Sequence, residues 1–254
     1  MSTQQIIVIK VGTDVLKNVL AFSIIARQIA ELKKMGYGVI LVTSGGVIAG
    51  SDYVTFLGGN PKQYHKCILA SIGASSLLEH WGKALMLDRL VPAQCYFTYG
   101  NLRFKGEKES IRSRLRLLAF DQFAVPLVNE NDIVSGVEIE KMKKGLGDND
   151  RLARIVSCLV QAGHVLFATE KGAVYTDNPD KNKNAERVAR IDAKKGFRLP
   201  GQTSGPSKNG SGGMQSKINQ AAICARKGMH SGIIGLHDPV RFMNGEDVGT
   251  LVCM

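Results

Sequence analysis

Two short clusters of acids and amides, Asn129-Glu130-Asn131-Asp132 and Gly147-Asp148-Asn149-Asp150, lie close together in the middle of the chain. The first follows Ala124–Val128, an apolar run that reads as a buried strand. In open α/β sheets, ligands bind off the carboxyl ends of the strands. Side chains of this kind can hold the ammonium or hydroxyls of a polar ligand, or place a cation near phosphate. Taken alone, either cluster also fits Asn/Asp turns and helix caps, because these residues bond their own backbone.

Two lysines in unusual places suggest phosphate. Lys10 stands near the end of Gln5–Val11, an otherwise apolar strand, where an unpaired charge is costly unless it snorkels to solvent. Lys217 falls in the first turn of a helix that follows Gly210-Ser211-Gly212-Gly213-Met214. A cation there opposes the helix dipole, unless an anion occupies the same end. Glycine turns also occur at Gly12-Thr13 and Ser44-Gly45-Gly46, where backbone N–H groups can approach an anion. None of the three matches the GxxxxGK[ST] or GxGxxG pattern. Phosphoryl transfer asks mainly for positioning and charge stabilisation. Lys10 and Lys217 would neutralise the transferring group from two sides, with Asp150 pairing with both.

The elements that must position these groups alternate. The pattern predicts strands at Gln5–Val11, Gly38–Thr43, Val91–Phe97, Ala124–Val128, His164–Thr169, Gly232–Leu236 and Thr250–Cys253. Helices are predicted after a Ser23 cap up to Gly36, from about Pro61 to Leu87, over Glu107–Gln122, over Asp150–Ala162 with Asp148 or Asn149 as cap, and over Met214–Lys227. Ala173–Tyr175 begins an irregular region, and Arg198–Gly213 reads as a loop. This is an α/β fold, a three-layer αβα sandwich with a central, mostly parallel sheet. The 254 residues form a single domain of two lobes that share the sheet, an acceptor-binding lobe over 1–165 and a nucleotide-binding lobe over 166–254.

Composition narrows the function. Hydrophobic content is 44% and mean hydropathy is -0.03, and no apolar run is long enough to cross a bilayer. The opening Met1-Ser2-Thr3-Gln4-Gln5 has no signal-peptide pattern, so a cytoplasmic protein is expected. Five scattered cysteines without a CxxC pair fit reduced thiols rather than zinc ligation, and the five histidines are dispersed. The net charge of +11 is concentrated at Arg103–Arg116 and Lys181–Arg198. It fits either nucleic acid or anionic small molecules. Aromatics at 6%, not interleaved with basic residues, argue against single-strand binding.

The ordered set Lys10-Val-Gly-Thr13, Val42–Gly50, Asn129–Asp132, Gly147–Asp150, Gly172–Thr176, Gly210–Lys217 and Gly249-Thr250-Leu251 resembles the glutamate 5-kinases of the amino acid kinase superfamily, from about residue 5 to the end. The pairing of NEND with GDND is specific within that superfamily. The chain is similar to the short form, without the C-terminal RNA-modification-like (PUA) domain of many relatives. The resemblance implies catalytic roles for Lys10, Lys217 and Asp150. It implies glutamate binding by Ser44, Asp132 and Asn149, with Asn129 and Asn131 nearby. ATP binding would involve Lys10, Gly12, Thr169, Glu170, Ser211, Gly212, Gly213, Met214, Gln215, Ser216 and Lys217. Mg²⁺ would be held mainly by ATP, with no protein metal site. The implied reaction is phosphorylation of the glutamate γ-carboxylate, the first step of proline synthesis, with proline as an expected inhibitor and a homodimer or tetramer as the assembly.

Asp14, Gly46, Glu170, Arg151 and Arg154 depart from the pattern of that family. Two other readings stand beside it: a superfamily member with another small acidic acceptor, and a non-catalytic nucleotide- or RNA-binding relative. Intact Lys10, Lys217 and Asp150 weigh against the second.

Overall fold

The computed structural model describes residues 5–134, 149–199 and 213–254. Gly147, Asp148, Gly210, Ser211, Gly212 and most of the loop expected at 198–213 fall outside that description. Among the described residues, eight strands build one sheet: β1 (Ile6–Val11), β2 (Gly38–Thr43), β3 (Val91–Phe97), β4 (Ala124–Glu130), β5 (His164–Ala168), β6 (Arg190–Asp192), β7 (His230–Ile234) and β8 (Thr250–Cys253). Their order is β3-β4-β2-β1-β5-β7-β8-β6. Among these eight strands, only β7 and β8 pair antiparallel.

The helices are α1 (Thr13–Leu16), α2 (Leu20–Lys34), α3 (Gly46–Phe56), α4 (Lys66–Met86), α5 (Lys105–Phe120), α6 (Asn149–Val160), α7 (Met214–Arg226) and α8 (Pro239–Met243). None among the described residues is long and apolar enough to cross a membrane. They cover both faces of the sheet. Ile7, Ile9 and Val11 of β1 pack with α2, α4 and α8. Ile6 and Val8 pack with α5, α6 and α7. A parallel strand buried on both faces has no polar row to show, which is why β1 and β2 read as unbroken apolar runs.

Two expectations need correction. Ser23 does not cap α2; the helix starts at Leu20, whose N–H is met by the Asn18 side chain at 3.0 Å. The helix expected from Pro61 starts at Lys66, after a short 3₁₀ turn over Pro61–Gln63. Two elements were unforeseen: the edge strand β6, and α3, whose glycines resemble turn residues. Those glycines serve contact. A Cβ on Gly50 would stand 1.9 Å from the Leu69 carbonyl oxygen, and one on Gly73 2.0 Å from that of Gly46. Helices α3 and α4 therefore touch backbone to backbone.

Candidate active site

Lys10 belongs to the row of β1 that faces α6 and α7, and by its end the strand has reached the starts of both helices. Asp150 is the second residue of α6 and Lys217 the fourth of α7. The Asp150 carboxylate pairs with Lys10 Nζ at 2.6 Å and with Lys217 Nζ at 3.3 Å. Asp150 is 0% exposed, Lys10 5% and Lys217 9%. Burial pushes the Asp150 carboxyl up, but the fields and hydrogen bonds of the two ammoniums outweigh it and hold the group below the ordinary carboxylate range. Among the described residues, two cations on one anion leave a net positive charge.

That charge sits where an anion would be welcome. Gly213 enters α7 in extended conformation with no side-chain cap, so the first N–H groups of the helix have no side-chain acceptor from the cap position. A Cβ on Gly12 would come within 3.3 Å of Lys10 Nζ, so a larger residue there would crowd the ammonium. Both features fit phosphate oxygens.

A second group forms at the ends of β2 and β4. The Asn149 amide donates to the Thr43 carbonyl at 2.7 Å, to Ser44 Oγ at 2.8 Å and to Asn129 Oδ1 at 3.3 Å. Asn149 is the first residue of α6, and its side-chain amide is held in this clamp. Gly45, in the left-handed region at φ 106°, turns the chain from β2 into α3 and presents Ser44 to the clamp. Two supporting residues were not anticipated. Thr43 Oγ1 accepts from Trp81 Nε1 at 3.0 Å, and Trp81 is wholly buried. A buried indole needs such a partner, which is the one signal that was available. Asn131 and Asp132 follow β4, and burial pushes the Asp132 carboxyl up to about 6.

The remaining expected residues are distributed as follows. Thr169 is buried at the end of β5, its N–H donating to the Ile234 carbonyl, while Glu170 beside it is exposed. Met214, Gln215 and Ser216 open α7. The Gln215 side chain bonds protein, donating to the Phe197 carbonyl and Asn219 Oδ1 and accepting from the Leu199 N–H. Among the departures, Asp14 is paired with Lys17 at 2.9 Å, Arg151 lies over the Tyr99 ring at 5.2 Å, and Arg154 donates to Gln220 at 2.7 Å.

A parallel sheet that ends on this buried cationic pair defines a class, and the comparison with known proteins agrees: the chain belongs to the amino acid kinase family, whose model matches residues 5–235. Among curated proteins it is similar to the glutamate 5-kinase of Oleidesulfovibrio alaskensis, 33% identical over 97% of this chain, and to that of Pasteurella multocida, 30% identical over 98%. It spans 65% of the length of the first relative and 69% of the second. Solved structures of the same fold include a carbamate kinase from Giardia lamblia bound to AMP-PNP, with TM-score 0.66, 15% identity and coverage of 100% of this chain and 99% of the other. Another is a UMP kinase from Bacillus anthracis, with TM-score 0.62, 16% identity and coverage of 98% and 96%.

Proposed function

We propose that the chain is an ATP-dependent phosphotransferase that phosphorylates the γ-carboxylate of glutamate, the entry reaction of proline synthesis. The observation that carries this is the buried Lys10–Asp150–Lys217 group, one residue along α6 from the Asn149 clamp. Asp150, which pairs with both cations, and Asn149, which holds the clamp, share one helix turn.

In this reading a γ-carboxylate oxygen attacks the terminal phosphorus, the bond from phosphorus to the bridging oxygen breaks, and ADP leaves. The attacking group is already ionised near neutral pH, so no general base is required. Lys10 and Lys217 stabilise the charge that spreads over the transferring oxygens. Asp150 holds both ammoniums in place. Ser44, Asn129, Asn131, Asp132 and Asn149 form the acceptor end. Gly12, Thr169, Glu170 and the start of α7 form the nucleotide end, together with Ser211 and Gly212. Mg²⁺ would arrive with ATP and offset phosphate charge. The acceptor half is residues 1–165 and the nucleotide half 166–254. A homo-oligomer fits Phe56 and Leu57, exposed by 86% and 82%, and the cytoplasm is its expected compartment. Proline is the expected inhibitor at the acceptor end.

ADP release should require ATP, Mg²⁺ and glutamate together, and release with glutamate no faster than without it would sink the assignment of acceptor. A second expectation concerns pH. The Asp132 carboxyl must be ionised to pair with an ammonium, and its pKa is raised to about 6. Glutamate KM should therefore climb by up to about tenfold per unit as pH drops below that value, with ATP KM nearly flat. For the ligand-free protein the sign is opposite. The folded pKa lies above the unfolded one, so the cost of burying the charge is complete above about pH 6 and fades toward pH 4. Asp132→Asn should stabilise the ligand-free protein at pH 8 by about 1–2 kcal/mol, allowing for solvent screening, while raising glutamate KM. Urea melts and kinetics on one preparation check both halves.

A further inference from the structure

Tyr96 is the penultimate residue of β3 and stands beside Asn129 in the parallel register with β4, so the two side chains share a face of the sheet. The pairing runs on past the strands. The Asn131 N–H donates to the Phe97 carbonyl at 3.1 Å, and this carries Asp132 alongside the end of the strand that bears Tyr96. The Tyr96 hydroxyl is enclosed and has no hydrogen-bond partner among the described residues. Asn129, its neighbour in the register, already accepts from the Asn149 amide at Oδ1. Phenylalanine would fill the same space without leaving a buried polar atom unmet, a state that costs stability.

The phenol is also kept as a donor. Burial first, and the negative charge of Asp132 second, push its ionisation above the ordinary tyrosine range. An O–H without an acceptor thus stands at the end of β3, on the strand neighbouring the segment that carries Asp132, a carboxylate with no salt bridge among the described residues. An α-amino acid carries the complementary pair, an ammonium and a carboxylate on one carbon.

We infer that Tyr96 determines acceptor specificity: its hydroxyl donates to the α-carboxylate of an amino acid whose ammonium pairs with Asp132. This rests on the acceptor reading proposed above and adds to it the group that would distinguish an α-amino acid from a plain amine acid.

Two ligands and one conservative variant test it. Glutamate carries the α-carboxylate; 4-aminobutyrate keeps the ammonium and the distal carboxylate and lacks it. Tyr96→Phe should raise glutamate KM about tenfold, the equivalent of about 1.4 kcal/mol. It should leave ATP KM and the inhibition constant of 4-aminobutyrate against glutamate unchanged. The midpoint of thermal unfolding without ligand should be equal to that of the native chain or higher. An equal loss for both ligands, or an unchanged glutamate KM, overturns the assignment of Tyr96 while leaving the acceptor reading in place. A native chain with no glutamate-dependent ADP release overturns both.

Discussion

Lys217→Ala is expected to lower kcat by at least about 10²- to 10³-fold, the usual cost of removing one preorganised group from a developing anion. The lysine is held 3.3 Å from Asp150 at the start of α7, within reach of whatever binds there. Glutamate binding should change little. The variant should still fold, because Asp150 keeps its 2.6 Å contact with Lys10 and is not left alone in the interior. Lys217→Arg is the useful control. It retains charge but presents a planar fork in place of a compact ammonium, so partial activity is expected. Single-turnover kinetics and calorimetry with glutamate check the two claims separately. Comparable losses for nucleotide and glutamate would rule out the proposed division of the site.

The second large effect is on folding. In Gly73→Ala the new methyl would meet the Gly46 carbonyl oxygen at 2.0 Å and the Gly50 nitrogen at 2.5 Å. Both are backbone atoms in the facing helix and cannot swing aside, so α3 and α4 must part. Overpacking of this kind costs about 1–3 kcal/mol or more, against a gain of about 1 kcal/mol from helix propensity. We expect a net loss of at least about 2 kcal/mol in urea unfolding. Gly106, in α5, has open space where its Cβ would stand, so Gly106→Ala should be neutral or stabilising by about 0.5 kcal/mol. Because α3 starts two residues after Ser44, Gly73→Ala should also weaken glutamate binding more than ATP binding. A variant as stable as the native chain would show that the two helices tolerate separation.

Parts of this molecule were legible before any coordinates. A charged residue inside an apolar strand is an anomaly that burial makes expensive, and Lys10 with its partner Asp150 announced itself that way. The central strands were legible because a strand covered on both faces has one kind of side chain. Helix α3 was not, because GVIAGSDYVTF shows little periodicity and its glycines answer to α4, far along the chain. Strand β6 is three residues with both ends exposed, too short for any pattern. Ser23 looked like a cap because caps are local, but Asn18 reaches the helix start first. Thr43, Trp81 and Tyr96 have ordinary local surroundings, and only the pairing of distant elements makes them part of the candidate site.

The chain has a single tryptophan, and the fold places it with unusual economy. Trp81 donates to Thr43 at 3.0 Å, and the carbonyl of that same threonine is held by Asn149 at 2.7 Å. Any ligand that tightens or loosens the clamp alters the surroundings of one indole and no other. The protein thus contains its own optical probe of the clamp. If the proposed function holds, intrinsic fluorescence should follow glutamate on and off without a label, with ATP titrated alone as the internal reference.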